Sequence, residues 1–424
     1  MQLGTALFLP RDIDVNLDRW LEPFLAVTGR STRRKMAPLY VRGLLGSGGR
    51  KSIQPMAERL GLSGHDQLHH FISTLLRVLS RPAWDDAPLW RVLAEQVDRQ
   101  VGGEGAVLVV DDSGLPKKGE LSVGVARQYC GELGKVANCQ VLVSLTLARG
   151  EVPLPVGLRL FLPPTWTDDP EHCDAAGVPE AARTAQTKPE IALAEIDRVR
   201  EAGLRFSCVL ADAGFGSSPV FRHGLDEREL AWAAGIAYTQ LVYPTTIRLH
   251  PTHTPTGRVA KHPLPNRPPR AVAKMLATQR WHRITWRNGT KGPLNARFTA
   301  MRVRVADGPL NAEGTRLPGE ERWLIGEWRD SGEKKYYLSN LPQRTALRRL
   351  VASVKARWSC EQVHQQLKQE LGLGDFEGRS WTGLHRHALM TCIAFAYLQH
   401  RRLKAAGRGK KATPQRTAAA AIAA

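Results

Sequence analysis

The chain has 424 residues, 42% of them hydrophobic, which is length and apolar content enough for two or three domains with buried cores. Its 60 Lys and Arg against 40 Asp and Glu leave a net charge of +20, an excess that points to a polyanionic partner, with nucleic acid first. No apolar run approaches the ~20 residues that span a bilayer, no amphipathic basic helix dominates, and a membrane partner is therefore not expected. The six cysteines (Cys130, Cys139, Cys173, Cys208, Cys360, Cys392) contain no C-x-x-C pair, and the N-terminus has too short an apolar stretch for a signal peptide. Together these features read as a reduced, cytoplasmic protein without structural zinc.

From Trp20 to about Gln100 the apolar spacing is helical, as in LEPFLAVTGR and LWRVLAEQV, with interruptions at Gly43 to Gly49 and at Arg81-Pro82. Residues 1–100 are expected to form a helical N-terminal domain. Within it, IQPMAERLGLSGHDQLHHFIS predicts a helix, a turn at Gly61 to Gly64 and a second helix. That is the outline of a helix-turn-helix, either a DNA reader or a plain helical hairpin packed in a core. Arg30, Arg33, Arg34 and Lys35 nearby favour phosphate contact.

From Gly105 the period becomes that of strands. GAVLVVDDS, NCQVLVSLTLA and VPLPVGLRLFL predict three strands, EIALAEIDRVREAGL a helix, and FSCVLADAGFG a fourth strand ending in a carboxylate. The expectation for 101–240 is the first part of a mixed α/β sheet covered by helices. His250 to Arg270 is rich in Pro, Thr and His; TAMRVRVAD, ERWLIGEWR and KKYYLSNLP then alternate as antiparallel strands do, so a β-rich insertion is placed at 241–342. A long helix is predicted from about Thr345 to Leu371, within a second part of the sheet domain at 343–400. Residues 401–424, with Lys410, Lys411 and an alanine run, read as a basic disordered tail.

Three carboxylates stand out against this frame. Asp112 ends the first strand, Asp212 ends the fourth, and Glu361 lies on the predicted long helix. Oxygen donors of this kind suit paired Mg²⁺, which clamps the attacking and leaving oxygens of a phosphoryl displacement. Arg357, Glu361 and Lys368 stand at offsets of 4 and 7, which on one helix of about 100° per residue returns all three to nearly one face. Two cations flanking a metal-binding carboxylate suit a phosphodiester substrate. A solvated face with i,i+4 ion pairs is the plainer reading.

The blocks DDSGLPKKGELSVGVARQYCGELGKVANCQ, LADAGFG, the R-x3-E-x6-K spacing of Arg357, Glu361 and Lys368, and ELGLGDFEGRSWTGLHRH resemble the DDE transposases of bacterial insertion sequences, specifically the IS701-like branch of the IS4-type superfamily. The resemblance runs from about 111 to 390, with a weaker extension into RKSIQPMAERLG and LHHFIS. It implies an RNase H-like catalytic core interrupted by a β-rich insertion and preceded by the helical N-terminal domain. Asp112, Asp212 and Glu361 are the implied catalytic and metal residues, holding two Mg²⁺, with Mn²⁺ as a substitute. The implied partners are double-stranded DNA at transposon ends and at the target, bound by a homodimer in the bacterial cytoplasm at the nucleoid. One departure is Val354, where the fuller motif has a tyrosine.

Relatives commonly have a hydroxyl residue after the first aspartate, so Asp112, followed by Ser113, matches better than Asp111; neighbours on a strand also point to opposite faces. Asp111 is then a supporting or solvated group. Lys117 and Lys118 either touch DNA or complement the two aspartates, and with Arg357, Lys368, Arg33, Arg34 and Lys35 they form the expected DNA-contacting set. Trp281, Trp286, Trp323 and Trp328 are candidates to stack a flipped base, against the plainer role of core tryptophans. His364 is a metal ligand or base, or a packing residue whose phase points away from Arg357. His69, His70, His385 and His387 lack ligand partners at zinc spacing. The DAGFG stretch lacks a P-loop lysine, and its glycines are read as a tight turn past Asp212. Alternative functions are a catalytically idle, transposase-derived DNA-binding protein and a metal-dependent nuclease without strand transfer.

Overall fold

The computed structural model describes residues 10–73, 85–251, 263–289, 292–311 and 313–409. In chain order it opens with five helices: α1 (Pro10–Val27), α2 (Ser31–Leu45), α3 (Ile53–Arg59), α4 (Asp66–Ser73) and α5 (Ala87–Val101). Four strands follow, β1 (Ala106–Pro116), β2 (Ala126–Cys130), β3 (Lys135–Arg149) and β4 (Val152–Phe161), then the short α6 (Pro164–Thr167) and α7 (Pro170–Ala176) and the longer α8 (Lys188–Glu201). Next come β5 (Cys208–Ala211), α9 (Ala213–Gly216), α10 (Pro219–Glu227), β6 (Trp232–Ile236) and β7 (Leu241–Pro244). Three two-residue strands, β8 (Leu249–His250), β9 (Leu264–Pro265) and β10 (Arg270–Ala271), precede α11 (Val272–Met275). The chain closes with β11 (His282–Gly289), β12 (Gly292–Val305), β13 (Glu321–Trp328), β14 (Lys334–Ser339), α12 (Leu347–Ala356), α13 (Trp358–Gln369) and α14 (Trp381–Gly409). The fold class is mixed α/β, with helices at both ends of the chain. No helix among the described residues is long and apolar enough to cross a membrane.

Two compact units emerge, and neither is a single run of chain. The first gathers the described residues of 1–102, 112–205 and 359–414; the second gathers those of 103–111 and 206–358. Strand β1 passes from the second unit into the first between Asp111 and Asp112.

In the first unit β3 pairs antiparallel with β2 along Lys135–Cys139 and with β4 along Val141–Arg149. Pro153 and Pro155 are tolerated in β4, a strand paired on one side only. Helices α5, α8 and α14 pack on these strands, and α2 and α4 pack on α14. Helix α8 begins with a reciprocal capping box between Thr187 and Glu190. It is tied to β4 by Glu195, whose buried carboxylate receives Arg159 at 3.0 Å and Arg198 at 2.7 Å. Burial alone would raise the Glu195 pKa, but the two guanidinium groups outweigh it and bring it down to about 2.

The two helices and the turn expected within IQPMAERLGLSGHDQLHHFIS are present as α3 and α4, with Gly61 at φ +67° in the turn, a backbone conformation that suits glycine. Met56, Leu68 and Ile72 are fully buried, while Gln67, His69 and His70 are exposed. Residues 401–409, expected in a disordered tail, instead complete α14; the expected tail from Lys410 on, like the break at Arg81-Pro82, lies outside the described residues.

In the second unit the strand order runs β10-β7-β12-β13-β14-β6-β5-β1, with β11 added to β12. The β1–β5 and β5–β6 pairs are parallel, and the others are antiparallel. The three strands predicted from TAMRVRVAD, ERWLIGEWR and KKYYLSNLP are β12, β13 and β14. Helix α12 covers one face of them, where Val351 joins Ala296 and Phe298 in a core flanked by Ile284, Trp286 and Leu347.

Two parts of the strand pattern differ from expectation. The hairpin β2–β3 begins at Ala126, in a stretch with no apolar run; its exposed Tyr129 and Val136 face each other across the pair. The Ala-rich β6 also escaped the period, because its strand character comes from being buried between β5 and β14. The predicted long helix is two helices, α12 and α13, meeting at Arg357.

Candidate active site and DNA-contacting residues

Four consecutive apolar residues of β1, Val107 to Val110, are almost fully buried and pair in parallel with Cys208 to Ala211 of β5. The last matched pair is Val110 with Ala211; Asp212 directly follows the end of β5, whereas β1 runs on to Pro116, so Asp111 and Asp112 lie within that strand rather than ending it as expected. Matched residues of a parallel pair project to the same side, and side chains alternate along each strand. Register therefore gives Asp111 the face of Asp212, and Asp112 the opposite one.

The two β1 aspartates have different partners. Asp111 accepts from Arg357 Nη1 at 2.6 Å, and both side chains are largely buried. Asp112 accepts from Lys188 Nζ at 2.6 Å. Lys188 opens α8 and also stands 5.7 Å from the Phe161 ring centroid. Sequence reasoning missed Lys188, since nothing in TKPEIAL refers to a residue 76 positions earlier.

Asp212 is extended, with φ −83° and ψ −174°, and caps α9: its Oδ1 accepts from Gly214 N at 2.9 Å and Phe215 N at 3.3 Å. The carboxylate thus sits at a fixed strand end beneath oriented amides. The glycine that matters most is Gly216. A Cβ there would stand 2.1 Å from Gly235 O, so it lets α9 lie directly against β6 rather than serving a tight turn.

Glu361 is an exposed residue in the first turn of α13. Arg357 sits at the junction preceding that helix, so the expectation of one continuous helix carrying Arg357, Glu361 and Lys368 is corrected: only the latter two share α13. Lys368 Nζ donates to Gly114 O at 2.8 Å and pairs with Glu132 at 2.9 Å, and so it supports the end of β1. His364 hydrogen-bonds Ser144 at 2.8 Å and lies 3.6 Å from the Cys360 thiol.

Among the other expected DNA contacts, Lys118, Arg34 and Lys35 are exposed, whereas Arg33 is half-buried with its pKa lowered by burial and then by Arg30. Lys117 donates to Phe376 O at 2.6 Å. Burial lowers the Lys117 pKa, Arg50 adds to this, and Asp375 and Glu377 oppose it. His385 and His387 are core residues. His387 bonds Tyr40 at 2.8 Å and Gly372 O at 3.0 Å and stacks on Phe376.

The tryptophans of β11 and β13 are half-buried in cationic surroundings. Trp328 lies 3.9 Å from the Arg297 guanidinium and 4.4 Å from Lys334 Nζ, with Trp281 edge-on at 5.8 Å. Trp323 donates to Pro342 O at 3.0 Å, and Trp286 packs edge-on against Phe298 beneath Lys355. On the same sheet, fully buried Glu327 accepts from Tyr337 OH at 2.7 Å, Lys355 Nζ at 2.8 Å and Arg329 Nε at 2.9 Å. Burial would raise the Glu327 pKa, but these donors hold it below the usual value. Sequence reasoning missed this hub because GEWR alternates like an ordinary strand.

Comparison with known proteins adds three findings. A family model described as "DDE superfamily endonuclease" matches residues 23–293. The chain is 30% identical over 188 residues to "Probable transposase for insertion sequence element IS701" of Microchaete diplosiphon; this stretch spans 44% of the chain and 44% of that protein, less than half its length. A solved structure titled "Cryo-EM structure of piggyBac transposase synaptic complex with hairpin DNA (SNHP)" aligns over 97% of this chain and 77% of that one. Its TM-score is 0.40 and its identity 11%, a likeness that carries no argument.

Proposed function

The chain belongs to the DDE superfamily of endonucleases, and from that premise we propose that it is an IS701-type transposase, which cuts DNA at insertion-sequence ends and joins the 3′-OH to target DNA. Its core is then RNase H-like, with β11 to β14 in a β-rich insertion, and it works on double-stranded DNA as a homodimer in the bacterial cytoplasm. The observation that supports this reading is the parallel register of β1 and β5, after whose last matched pair, Val110 with Ala211, each strand continues into an aspartate.

Asp112, Asp212 and Glu361 would hold divalent metal, Mg²⁺ or Mn²⁺. Their donor atoms suit it: all are carboxylate oxygens, and Asp212 is oriented by two backbone N–H groups. When bound, a pair of such ions lowers the pKa of an attacking hydroxyl and stabilises charge on the leaving oxygen. Other side chains would take the remaining roles. Arg357 and Lys188 neutralise the β1 aspartates and orient their carboxylates. Lys118, Arg34 and Lys35, with Arg33 at their side, offer charge to phosphates. Lys117, Lys368 and Arg357 reach DNA only by giving up the protein partners described above.

A second reading exchanges Asp111 for Asp112, and the register that places Asp111 on the face of Asp212 favours it. Separate Asp111→Asn and Asp112→Asn variants decide between them: the metal-holding aspartate loses cleavage altogether, and the other retains measurable activity.

The primary test is cleavage and joining of a fragment bearing the element's end, with Mg²⁺, comparing the native protein with Glu361→Gln. Glu361 is exposed, so the substitution leaves folding intact. Expected are a 3′-OH and a joined product from the native protein, and DNA binding without either from the variant. Equal behaviour of the two sinks the metal-site argument and leaves a DNA-binding protein; cleavage without joining identifies a nuclease.

A further inference from the structure

Helix α1, the second half of α5 and the last turns of α14 line a cavity of about 540 Å³, within the ~300–1,000 Å³ typical of small-ligand sites. Tyr397, His400, Arg401 and Lys404 recur along α14 at helical spacing, i, i+3, i+4 and i+7, so that one stripe of the helix presents them together. Arg19 and Trp20 of α1 join them in the lining, and no described lining residue is acidic. A further observation points to an anion. Trp20 is 7% exposed, and its Nε1–H is buried with no protein acceptor, a donor left unpaired unless a ligand supplies one. The His400 ring stands 4.9 Å from that of Trp20.

We propose that this cavity binds a phosphate group, gripped by Arg19, Arg401 and Lys404 and accepting the Trp20 indole hydrogen. Arg401 offers the bidentate fork that matches phosphate oxygens, and Lys404 a point charge. The Trp20 and Tyr397 rings are too buried to stack a base, so recognition is of phosphate rather than of sequence. The phosphate is either one of the DNA backbone or part of a free polyphosphate such as a nucleotide tail.

The test uses the full chain, titrated with inorganic pyrophosphate at low salt by calorimetry. Arg401 and Lys404 both reach solvent, so an Arg401→Gln/Lys404→Gln double variant keeps its fold. The expected result is pyrophosphate binding by the native protein, weakened at least tenfold in the double variant and several-fold in Trp20→Phe, which keeps the ring but lacks the donor. No pyrophosphate binding by the native protein, or unchanged affinity in the double variant, overturns the proposal. Salt dependence of duplex DNA binding then distinguishes the sources. A slope shallower by about 2 in the double variant assigns the site to backbone phosphate, and an unchanged slope beside lost pyrophosphate binding assigns it to free polyphosphate. None of these readouts requires strand cleavage, so failure here and failure of the transposase reading are separate results.

Discussion

Glu327 shows how a single residue can matter more than its surroundings suggest. Its carboxylate is out of solvent and receives three donors, two of them cationic. Glu327→Ala would strand Lys355 beside a cavity, while Arg329 keeps Glu333 at 2.8 Å, and the loss expected for breaking such a buried pair is about 3–5 kcal/mol, read as a lower urea midpoint. Glu327→Gln, which keeps an acceptor, loses less. The buried histidines carry a pH signature. His387 has its pKa pushed down to about 4 and His385 to about 3, burial being the main cause in both. Both are neutral when folded, while an unfolded histidine titrates near ~6.5, so unfolding takes up two protons at lower pH. Their contribution is therefore complete above about pH 6.5 and falls away as pH drops towards 4, with a slope of about 2.7 kcal/mol per pH unit at most. Urea unfolding followed from pH 7.5 to 4.5 checks this, and His387→Gln is expected to halve the slope.

At the scale of elements, the approach of α9 to β6 sets the position of Asp212. Gly216→Ala would drive a methyl into Gly235 O, and neither group is a flexible side chain that can yield. The expected cost is about 1–3 kcal/mol, with loss of DNA cleavage even where the protein still folds. Gly119→Ala, at an exposed position with open space around it, serves as the control and is expected to be neutral. The junction at Arg357 is the other consequential feature. Helical periodicity continues through SVKARWSCEQV, and Arg357 itself has helical φ −59° and ψ −26°, so local sequence carries no signal for the break. What divides α12 from α13 is packing: α12 is held on β11 and β12 by Leu347 and Val351, while Cys360 and Val363 of α13 are buried in the other unit.

For the whole molecule, the charge of +20 predicts DNA binding that collapses with salt. If six or more phosphates are neutralised, affinity falls about 10³-fold between 50 and 200 mM salt, measurable by fluorescence anisotropy with a labelled duplex. A flat salt response would remove polyanion binding as the reason for the charge.

By itself the sequence determined the chemistry on offer: the charge, the apolar strand segments that lead into Asp111, Asp112 and Asp212, the strands β12 to β14, the α3–α4 hairpin and the block containing Glu361, although β1 runs past Asp112 to Pro116 instead of ending there. These were legible because each depends on residues close together in the chain, through period, capping or composition. Tertiary structure alone decided which groups meet. Arg357 finds Asp111 across 246 positions and Lys188 finds Asp112 across 76. Strand β6 is a strand because of its neighbours, and the α1 and α14 stripes make a cavity only by packing together. Such pairings are set by sheet register and helix packing, which depend on the balance of burial over the whole fold and leave no mark in any short stretch of chain.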